Sequence, residues 1–397
     1  MQYISYKRER ETRTVNSCSL PTPPTLTAMF PLRTHLLLSL LLLFPSLSPA
    51  RQTPKLNAFP VTVPTVEHQN HTWQEFGKFL NARRGSHVIG LSNLKKYLHR
   101  FGYLPATAPA NFTDAFDTRL RRAIARYQAR VGLTVSSELD TGTLSEIMLP
   151  RCGNPDVPPL SETRGTRRYA YFTGRPRWAR EVPITLTYAF SPENTPPSPS
   201  PPEIRGAFRR AFSRWSCVIP VTFVETGDYG FADIKIGFYH GDHGDGEAFD
   251  GVLGILAHSF SPESGRFHLD AAETWAVDFS SEKSPLAVDL ESVATHEIGH
   301  ILGLAHSSVK EAVMYPSMKP REKKLELTLD DIKGIQALYG SNPNFSISSY
   351  MESDLSSSEG VGLRVGYCST WMAVLLTLAC MVRLRINLII FSFFLKF

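Results

Sequence analysis

Apolar residues three and four positions apart mark the first folded part of the chain. This spacing predicts a helix over residues 91–101 and a second that is capped by Asp114, runs through Leu120, Ile124 and Tyr127 to Val131 and stops at Gly132. The apolar side chains of both helices are expected to form the core of a small helical domain over residues 73–148. No catalytic chemistry is visible in this domain.

Short β-like runs follow after residue 168. Residues 182–190, 221–226 and 232–238 are rich in β-branched and aromatic side chains, which favour strands. Between the first two runs, apolar residues at helical spacing over residues 204–215 predict an amphipathic helix. Strands mixed with helices predict an α+β or α/β domain over residues 169–342.

The segment over residues 29–50 has the pattern of a secretory signal peptide. It begins at Met29, carries Arg33, continues with an apolar run over residues 36–43 and ends in small residues. The apolar run is too short to span a bilayer. Residues 1–28 are polar and would displace the signal from the N-terminus, so we expect translation to begin mainly at Met29. A secreted protein is therefore predicted.

Composition limits the kind of partner. The 397 residues carry a formal net charge of +5, and neither a dense Lys/Arg stripe nor a nucleic-acid-binding motif is visible, which argues against nucleic acid as a partner. The five cysteines are odd in number and scattered, so at least one thiol is expected to be free or metal-bound. Sequons that suit a secreted glycoprotein lie at Asn70, Asn111 and Asn344.

A zinc-binding pattern, HEIGHILGLAH, begins at His296. His296 and His300 are four residues apart, so a helix places both imidazoles on one face. Catalytic zinc takes three protein ligands and keeps one position for water. Gly303 can end the helix, which lets His306 arrive as the third ligand.

Glu297 follows the first histidine and can reach that water without binding the metal. It is the predicted catalytic base. Asp289 is the predicted N-cap of the helix. Downstream, residues 312–316 (AVMYP) fit a tight turn that is expected to place Met314, a structural residue, beneath the metal.

A cysteine lies between the two predicted domains, in the segment PRCGNPD at residues 150–156. Its prolines and glycine keep the segment extended or turned. The Cys152 thiolate is a good zinc ligand, and at the fourth tetrahedral position it would displace the water that catalysis requires. Arg151 and Asp156 are expected to form an ion pair that fixes the loop. The polar stretch Ser161–Arg168 is expected to be exposed and cleavable by an activating protease.

These motifs resemble those of a known family. The extended HExxHxxGxxH pattern with its later methionine turn resembles the metzincins, and PRCGNPD matches the cysteine switch of the matrix metalloproteinases. This switch and Met314-Tyr315-Pro316 disfavour an astacin-like enzyme. The resemblance implies an α+β fold in which a metzincin catalytic domain has a mixed, mostly parallel, twisted five-stranded sheet and three helices. A helical peptidoglycan-binding-like prodomain would precede it, within a propeptide over residues 51–168.

The resemblance also implies further metal sites over residues 240–275. In the family a structural zinc is bound by an H-x-D…H…H set, which here is His243, Asp245, His258 and His268. Calcium prefers carboxylate and carbonyl oxygens, and the residues that offer them are Asp250, Gly251, Asp270 and Glu273. The strand over residues 253–260 is expected to be the exposed edge on which a substrate pairs.

The C-terminal residues 343–397 contain a Ser-rich spacer and a short apolar tail. This plan resembles a GPI-attachment signal, and the whole chain resembles the minimal plant metalloproteinases that lack a hemopexin-like domain. Arg383 and Arg385 interrupt the tail, and a transmembrane segment would have to bury both at considerable cost. We expect an extracellular, monomeric protein that meets a membrane only through such an anchor.

Two functions of different classes fit these features. The first is a secreted zinc-dependent endopeptidase that cleaves extracellular proteins and is made as a zymogen held latent by Cys152. The second is a non-catalytic protein that binds cell-wall glycan through its helical domain and carries a degenerate protease module. The intact Glu297, which a pure binding protein would not need, favours the endopeptidase.

Overall fold

The computed structural model describes residues 73–105, 111–156, 169–348 and 350. The predictions for the upstream extension, the signal peptide, Asn70, the cleavable stretch and most of the C-terminal tail fall outside these residues. Within the described part, no helix is long and apolar enough to cross a membrane.

Residues 73–156 fold into the helical domain that the sequence predicts. Its elements are a 3-10 helix (Gln74–Phe79), α1 (Leu91–Arg100), α2 (Thr118–Arg130), α3 (Thr141–Ile147) and a short strand, β1 (Arg151–Cys152). Aromatic rings fill the core, where the Tyr97 ring lies edge-on to Trp73 and to Phe101, at 4.9 and 4.7 Å between centroids. Such edge-to-face pairs add to the hydrophobic stabilisation of the buried rings.

The cap of α2 differs from the prediction. Asp117, and not Asp114, accepts the hydrogen bond from Leu120 N at 2.8 Å. Phe116 is buried and its backbone N–H bonds Ser86 O, so the chain stays extended until Asp117. Asp114 instead accepts a hydrogen bond from Ser92 N at the start of α1. The spacing of apolar residues could not predict this cap, because it carries no information on which backbone groups are already hydrogen-bonded.

The later domain is α+β. Its long strands are β3 (Ile184–Phe190), β4 (Val221–Glu225), β5 (Ile234–Tyr239), β6 (Ile255–Ser259) and β7 (Arg266–Asp270). Its helices are α4 (Pro201–Val218), α5 (Leu290–Ile301) and α6 (Leu329–Tyr339). Two short strand pairs complete the domain. Strand β2 (Ala170–Tyr171) pairs antiparallel with β10 (Leu304–Ala305), and β8 (Trp275–Ala276) pairs parallel with β9 (Val288–Asp289).

The five long strands form one sheet in the order β6-β7-β5-β3-β4, and β1 adds a sixth strand beside β6. Every neighbouring pair is parallel except β6 with β7. The mixed, mostly parallel five-stranded sheet implied by the resemblance is therefore confirmed for this domain. The sixth strand was not predicted, because the cysteine segment carries no strand pattern of its own.

Helices α4 and α5 pack closely against one another and against the methionine turn. Trp215 on α4 donates its indole N–H to Thr295 O on α5 at 2.9 Å. A Cβ at Gly299 would lie 2.3 Å from Met314 Sδ and 3.0 Å from the Trp215 ring. Only glycine therefore allows α5 to approach Met314 this closely.

Candidate metal centre and active site

Helix α5 carries the first two predicted zinc ligands. Its N-terminus is capped by Asp289, which accepts a hydrogen bond from Ser292 N at 2.9 Å, so the predicted cap is confirmed. His296 and His300 lie one turn apart on this helix, and both are buried. The helix thus holds both side chains on one rigid element.

The third histidine returns after a glycine turn. Gly303 has a φ of 107°, which glycine adopts without strain. A Cβ at this position would also lie 2.2 Å from Pro176 O, so no larger residue fits the turn. The chain then runs through β10 and brings the buried His306 beside His296 and His300, with ring centroids 5.2 and 4.8 Å away.

Each of the three rings is anchored through Nδ1 by a protein oxygen 2.7 Å away. These oxygens are Val313 O for His296, Leu304 O for His300 and Asp156 Oδ1 for His306. The Nε2 atoms are thereby left to face one point. Those of His296 and His300 are 3.1 Å apart, and that of His306 is buried without a partner. Anchoring of the far nitrogen is what orients metal-bound histidines in proteins.

The fit to zinc follows from the donor set. Burial lowers the pKa of His296, His300 and His306 below the ordinary value for histidine, so the neutral rings that bind zinc are favoured. The Cys152 sulfur lies 3.4 Å from His300 Nε2, and the ligand atoms of all four residues fall within 4.8 Å of one another. Three nitrogens and one sulfur at this separation suit a tetrahedral zinc ion.

The cysteine segment reaches this point by pairing on both sides. Strand β1 runs parallel to β6, and Gly153 N donates to Ala257 O at 2.8 Å. On the other side, Cys152 N donates to Pro316 O at 2.9 Å and Met318 N donates to Pro150 O at 3.1 Å. The segment therefore fills the cleft between strand β6, the predicted substrate-pairing edge, and the chain after the methionine turn.

The predicted ion pair between Arg151 and Asp156 is present, and both side chains are fully buried. The Arg151 guanidinium lies 3.6 Å from the centre of the Phe101 ring in the helical domain. Tyr103 donates its hydroxyl to Asp156 at 2.5 Å. Burial alone would raise the pKa of Asp156, but Arg151 and His306 outweigh it and lower that pKa below its usual range. The carboxylate is therefore ionised when it anchors the His306 ring.

The side chain of Asn154 imitates a paired strand. Its amide N–H donates to Ser259 O at 2.8 Å, and its amide oxygen accepts from Ser259 N at 3.3 Å. Both bonds are buried and replace the ladder that a neighbouring strand would offer to the end of β6. This role could not be predicted from the motif, since Asn154 occupies the variable position of PRCGxPD.

Glu297 is buried beside the metal ligands. One carboxylate oxygen accepts a hydrogen bond from Ser259 Oγ at 2.6 Å, and the other has no hydrogen-bond partner among the described residues. Burial raises the pKa of Glu297 to about 7. A carboxyl group with a pKa near neutrality is suited to take up and release a proton.

The second predicted zinc set also converges. His243 Nε2, His258 Nε2 and His268 Nδ1 lie 2.9, 2.7 and 2.8 Å from one oxygen of Asp245. All four ligand atoms fall within 4.8 Å of one another. Burial, only partly offset by Asp245, lowers the pKa of His258 and of His268 to about 4, so neutral rings surround the carboxylate. Four protein donors leave no position for water, which is typical of structural zinc.

The predicted calcium residues lie together but do not converge as the zinc sets do. Among the described residues only the two histidine-containing groups bring three or more ligand side chains within 4.8 Å. Asp250, Asp270 and Glu273 each accept a backbone N–H from the loop 251–255. The second oxygen of Glu273 is buried without a partner, and burial followed by repulsion from Asp270 raises the pKa of Glu273 to about 8. A cation bound to the loop would give this oxygen a partner and would lower the pKa of Glu273.

Comparison with known proteins places this site in a family. The family model of the matrixins matches residues 177–340, and that of the peptidoglycan-binding domains matches residues 90–147. Metalloendoproteinase 4-MMP of Arabidopsis thaliana is 55% identical over 279 residues, which cover 70% of this chain and 80% of that protein. The chain belongs to the matrixin family. It is a metalloendopeptidase, and matrixins use zinc.

Further relatives extend this result. Metalloendoproteinase 1-MMP of Arabidopsis thaliana is 49% identical over 326 residues, which cover 81% of this chain and 88% of that protein. Human matrix metalloproteinase-20 is 42% identical over 223 residues, which cover 55% of this chain and 42% of that protein. The resemblance drawn from the motifs alone is therefore confirmed.

The methionine turn of this matrixin is fixed by a residue that the sequence did not single out. Asp331, buried in the first turn of α6, accepts hydrogen bonds from Val313 N at 3.0 Å and from Met314 N at 3.1 Å. It also completes the capping box of α6 with Thr328. One carboxylate therefore ties the last helix to the turn beneath the three histidines.

A narrow cavity opens beside Glu297 between α5 and the chain after the methionine turn. Its volume is about 20 Å³, which is room for roughly one water molecule. Val293, Val313 and Met318 give it apolar walls, Lys324 lies along it, and Cys152 closes one side.

The two Asn154 hydrogen bonds generate a prediction about thiol protection. Asn154→Ala in the zinc-loaded precursor should let a mercurial cap Cys152 about thirtyfold faster, because each of the two buried hydrogen bonds lost weakens the segment by about 1 kcal/mol. The rate of capping is measured with the intact precursor. Asn93→Ala, at an exposed position in the same domain, is the matched control and should change nothing. Equal capping rates for wild type and Asn154→Ala would contradict the role of this side chain.

Proposed function

We propose that this matrixin is a secreted endopeptidase that cleaves extracellular proteins and is made as a zymogen whose Cys152 blocks the catalytic zinc. The observation that supports this most is the position of the Cys152 sulfur among His296, His300 and His306. Those three histidines are the proposed ligands of the catalytic zinc. The zymogen is proposed to be activated by a protease that cleaves the stretch 161–168.

The proposed mechanism needs one proton carrier. Zinc, when bound, supplies Lewis-acid polarisation of the scissile carbonyl and lowers the pKa of a water molecule. Glu297 takes the proton from the attacking water, while Ser259 holds one of its carboxylate oxygens. Glu297 then delivers that proton to the nitrogen of the leaving amine. The edge strand β6 offers backbone groups to the substrate once Asn154 and Gly153 have left.

Further features of the proposal concern stability and location. His243, Asp245, His258 and His268 are the proposed structural zinc ligands, and Asp250, Gly251, Asp270 and Glu273 the proposed calcium site. Asn111 and Asn344 are exposed, as glycosylation requires, and are proposed acceptors together with Asn70. The enzyme is proposed to act as an extracellular monomer, held at the plasma membrane if its C-terminal tail is exchanged for a GPI anchor.

A non-catalytic glycan-binding protein is the second candidate. The match to the peptidoglycan-binding family over residues 90–147 is the observation that favours it. A pure binding protein would not need a carboxylate such as Glu297 buried beside the metal ligands. The endopeptidase therefore accounts for more of the site.

Replacement of the proton carrier tests the mechanism. Glu297→Gln in the activated enzyme should keep its zinc but lose activity by about 10²–10⁴-fold, since the geometry survives while the proton acceptor is gone. His300→Ala should lose both zinc and activity. Zinc content and cleavage of a quenched peptide are measured on the same samples, with the exposed Glu311→Gln as control. Near wild-type turnover in Glu297→Gln would show that another group carries the proton.

The thiol is tested in the uncleaved precursor. Cys152→Ser should be active without cleavage, because a serine hydroxyl is a poorer zinc ligand than a tethered thiolate of high effective concentration. Cys217→Ser, at a half-buried position on α4, is the matched control and should stay latent. Low and equal activity of both precursors would mean that steric cover by the prodomain, and not the thiol, keeps the enzyme inactive.

Calcium should stabilise the fold by mass action. At a concentration about 100-fold above its dissociation constant, calcium would add about 2.7 kcal/mol to the free energy of unfolding. We expect the melting temperature to rise with added calcium at fixed zinc, and Glu273→Gln to reduce the rise. A flat response of the wild-type protein would remove the calcium proposal.

A further inference from the structure

Charge is segregated between the two folded domains. Residues 73–156 contain twelve Lys and Arg residues against seven Asp and Glu residues, whereas residues 169–342 contain sixteen against twenty-three. The helical domain is therefore basic and the catalytic domain acidic. The small net charge of the whole chain hides this difference.

The excess positive charge is concentrated at the first half of α2. This helix contains five arginines and no acidic residue. Arg119, Arg121 and Arg122 are exposed, and their side chains form no ion pair with any other described residue. The other two are engaged, since Arg126 bonds Tyr103 O and Arg130 bonds His306 O at the catalytic domain. Arg122 precedes Arg130 by eight residues, so it lies about 12 Å along the helix from the contact with His306.

Two more arginines join these three. Hydrogen bonds from Gly85 N to Phe116 O and from Phe116 N to Ser86 O fasten the loop 83–86 to the residues just before α2. Arg83 and Arg84 of this loop are exposed and unpaired within the described chain. We call the five residues Arg83, Arg84, Arg119, Arg121 and Arg122 the distal basic cluster.

The five arginines outnumber the carboxylates beside them, of which Asp117 is already paired with a lysine and Asp114 keeps its single negative charge. Asp117 caps α2 and forms an ion pair with Lys95 at 2.8 Å, and Asp114 accepts a hydrogen bond from Ser92 N. The N-terminal end of the α2 dipole adds further positive potential at the same place. The cluster is also accessible in the latent protein, because it lies at the opposite end of α2 from the contact with His306.

We infer that the distal basic cluster binds a carboxylated polysaccharide and so retains the precursor on an extracellular matrix. Guanidinium groups pair with planar carboxylates through two parallel hydrogen bonds. A linear polymer with repeated carboxylates meets several arginines at once, so weak exposed ion pairs add up. No aromatic side chain belongs to the cluster, whereas proteins that bind single-stranded nucleic acid stack bases on aromatic rings.

The acidic catalytic domain gives this binding a consequence. Once the two domains are separated, the enzyme carries an excess of negative charge and is repelled by the same polymer. Matrix retention would thus belong to the precursor, and release to the active enzyme. This consequence rests on the proposed removal of the propeptide, whereas binding of the polymer by the precursor does not.

Binding of the intact precursor to immobilised polygalacturonate tests the inference. Arg119→Gln/Arg122→Gln should raise the dissociation constant about tenfold in roughly 0.1 M salt, which is the effect expected when two ion pairs with a polyanion are lost. The matched control is Arg205→Gln/Arg209→Gln, which removes the same charge from exposed positions of α4 that face Glu225. The control should bind as the wild type does. Melting temperatures of both variants should equal that of the wild type.

Several outcomes would overturn the inference. Equal binding by wild type and Arg119→Gln/Arg122→Gln would place the polymer elsewhere. Binding of sulfated heparin or of duplex DNA, with none of polygalacturonate, would assign the cluster to another ligand class. Because no peptide bond is cleaved in this experiment, a failure to bind leaves the endopeptidase proposal intact. A peptidase that proves inactive leaves the binding result equally intact.

Discussion

The anchoring of three imidazole rings through Nδ1 is the constraint on which the rest of this structure depends. Nitrogen atoms 3.1 Å apart, as in His296 and His300, are tolerable in a buried site only when a cation or a shared proton lies between them. The anchors force this approach, and they come from three different places: the methionine turn, strand β10 and the cysteine segment. Gly299, Gly303 and Asp331 serve the same end, because they let the methionine turn and the third histidine close around α5.

The helical domain and the cysteine segment complete this arrangement. A buried network runs from the Phe101 ring through Arg151 and Asp156 to His306 Nδ1. The helical domain also contacts the methionine turn of the catalytic domain directly, since Tyr315 donates its hydroxyl to the buried Glu146 on α3 at 2.9 Å. Folding of the helical domain and the shape of the metal centre are therefore coupled. His306 therefore depends on the cysteine segment for its ionised anchor, Asp156.

Spacing and residue type were sufficient to predict the parts of the site that lie on one helix or in one short motif. The positions of His296, His300 and Asp289, and the pairing of Arg151 with Asp156, follow from local geometry alone. The roles of Asn154, Ser259 and Asp331 could not be predicted, because each depends on partners more than 15 positions away in the chain. The misplaced cap at Asp114 has the same origin. Phe116, two residues after Asp114, pairs with the loop 83–86, and the helical periodicity of the sequence does not predict that pairing.

The charge of the chain shows a similar limit. A formal charge of +5 and the absence of a dense basic run argued against nucleic acid as a partner. They did not reveal the local excess of positive charge, because α2 intersperses its arginines with the apolar residues that it buries. The helical period places Arg119 and Arg122 side by side, whereas Arg121 lies on another side of α2. The backbone pairing of Phe116 with the loop 83–86 brings two more cations to the start of the helix. Charge patterns therefore need to be evaluated per domain and per helix face, since opposite excesses on two domains of one chain cancel in the total.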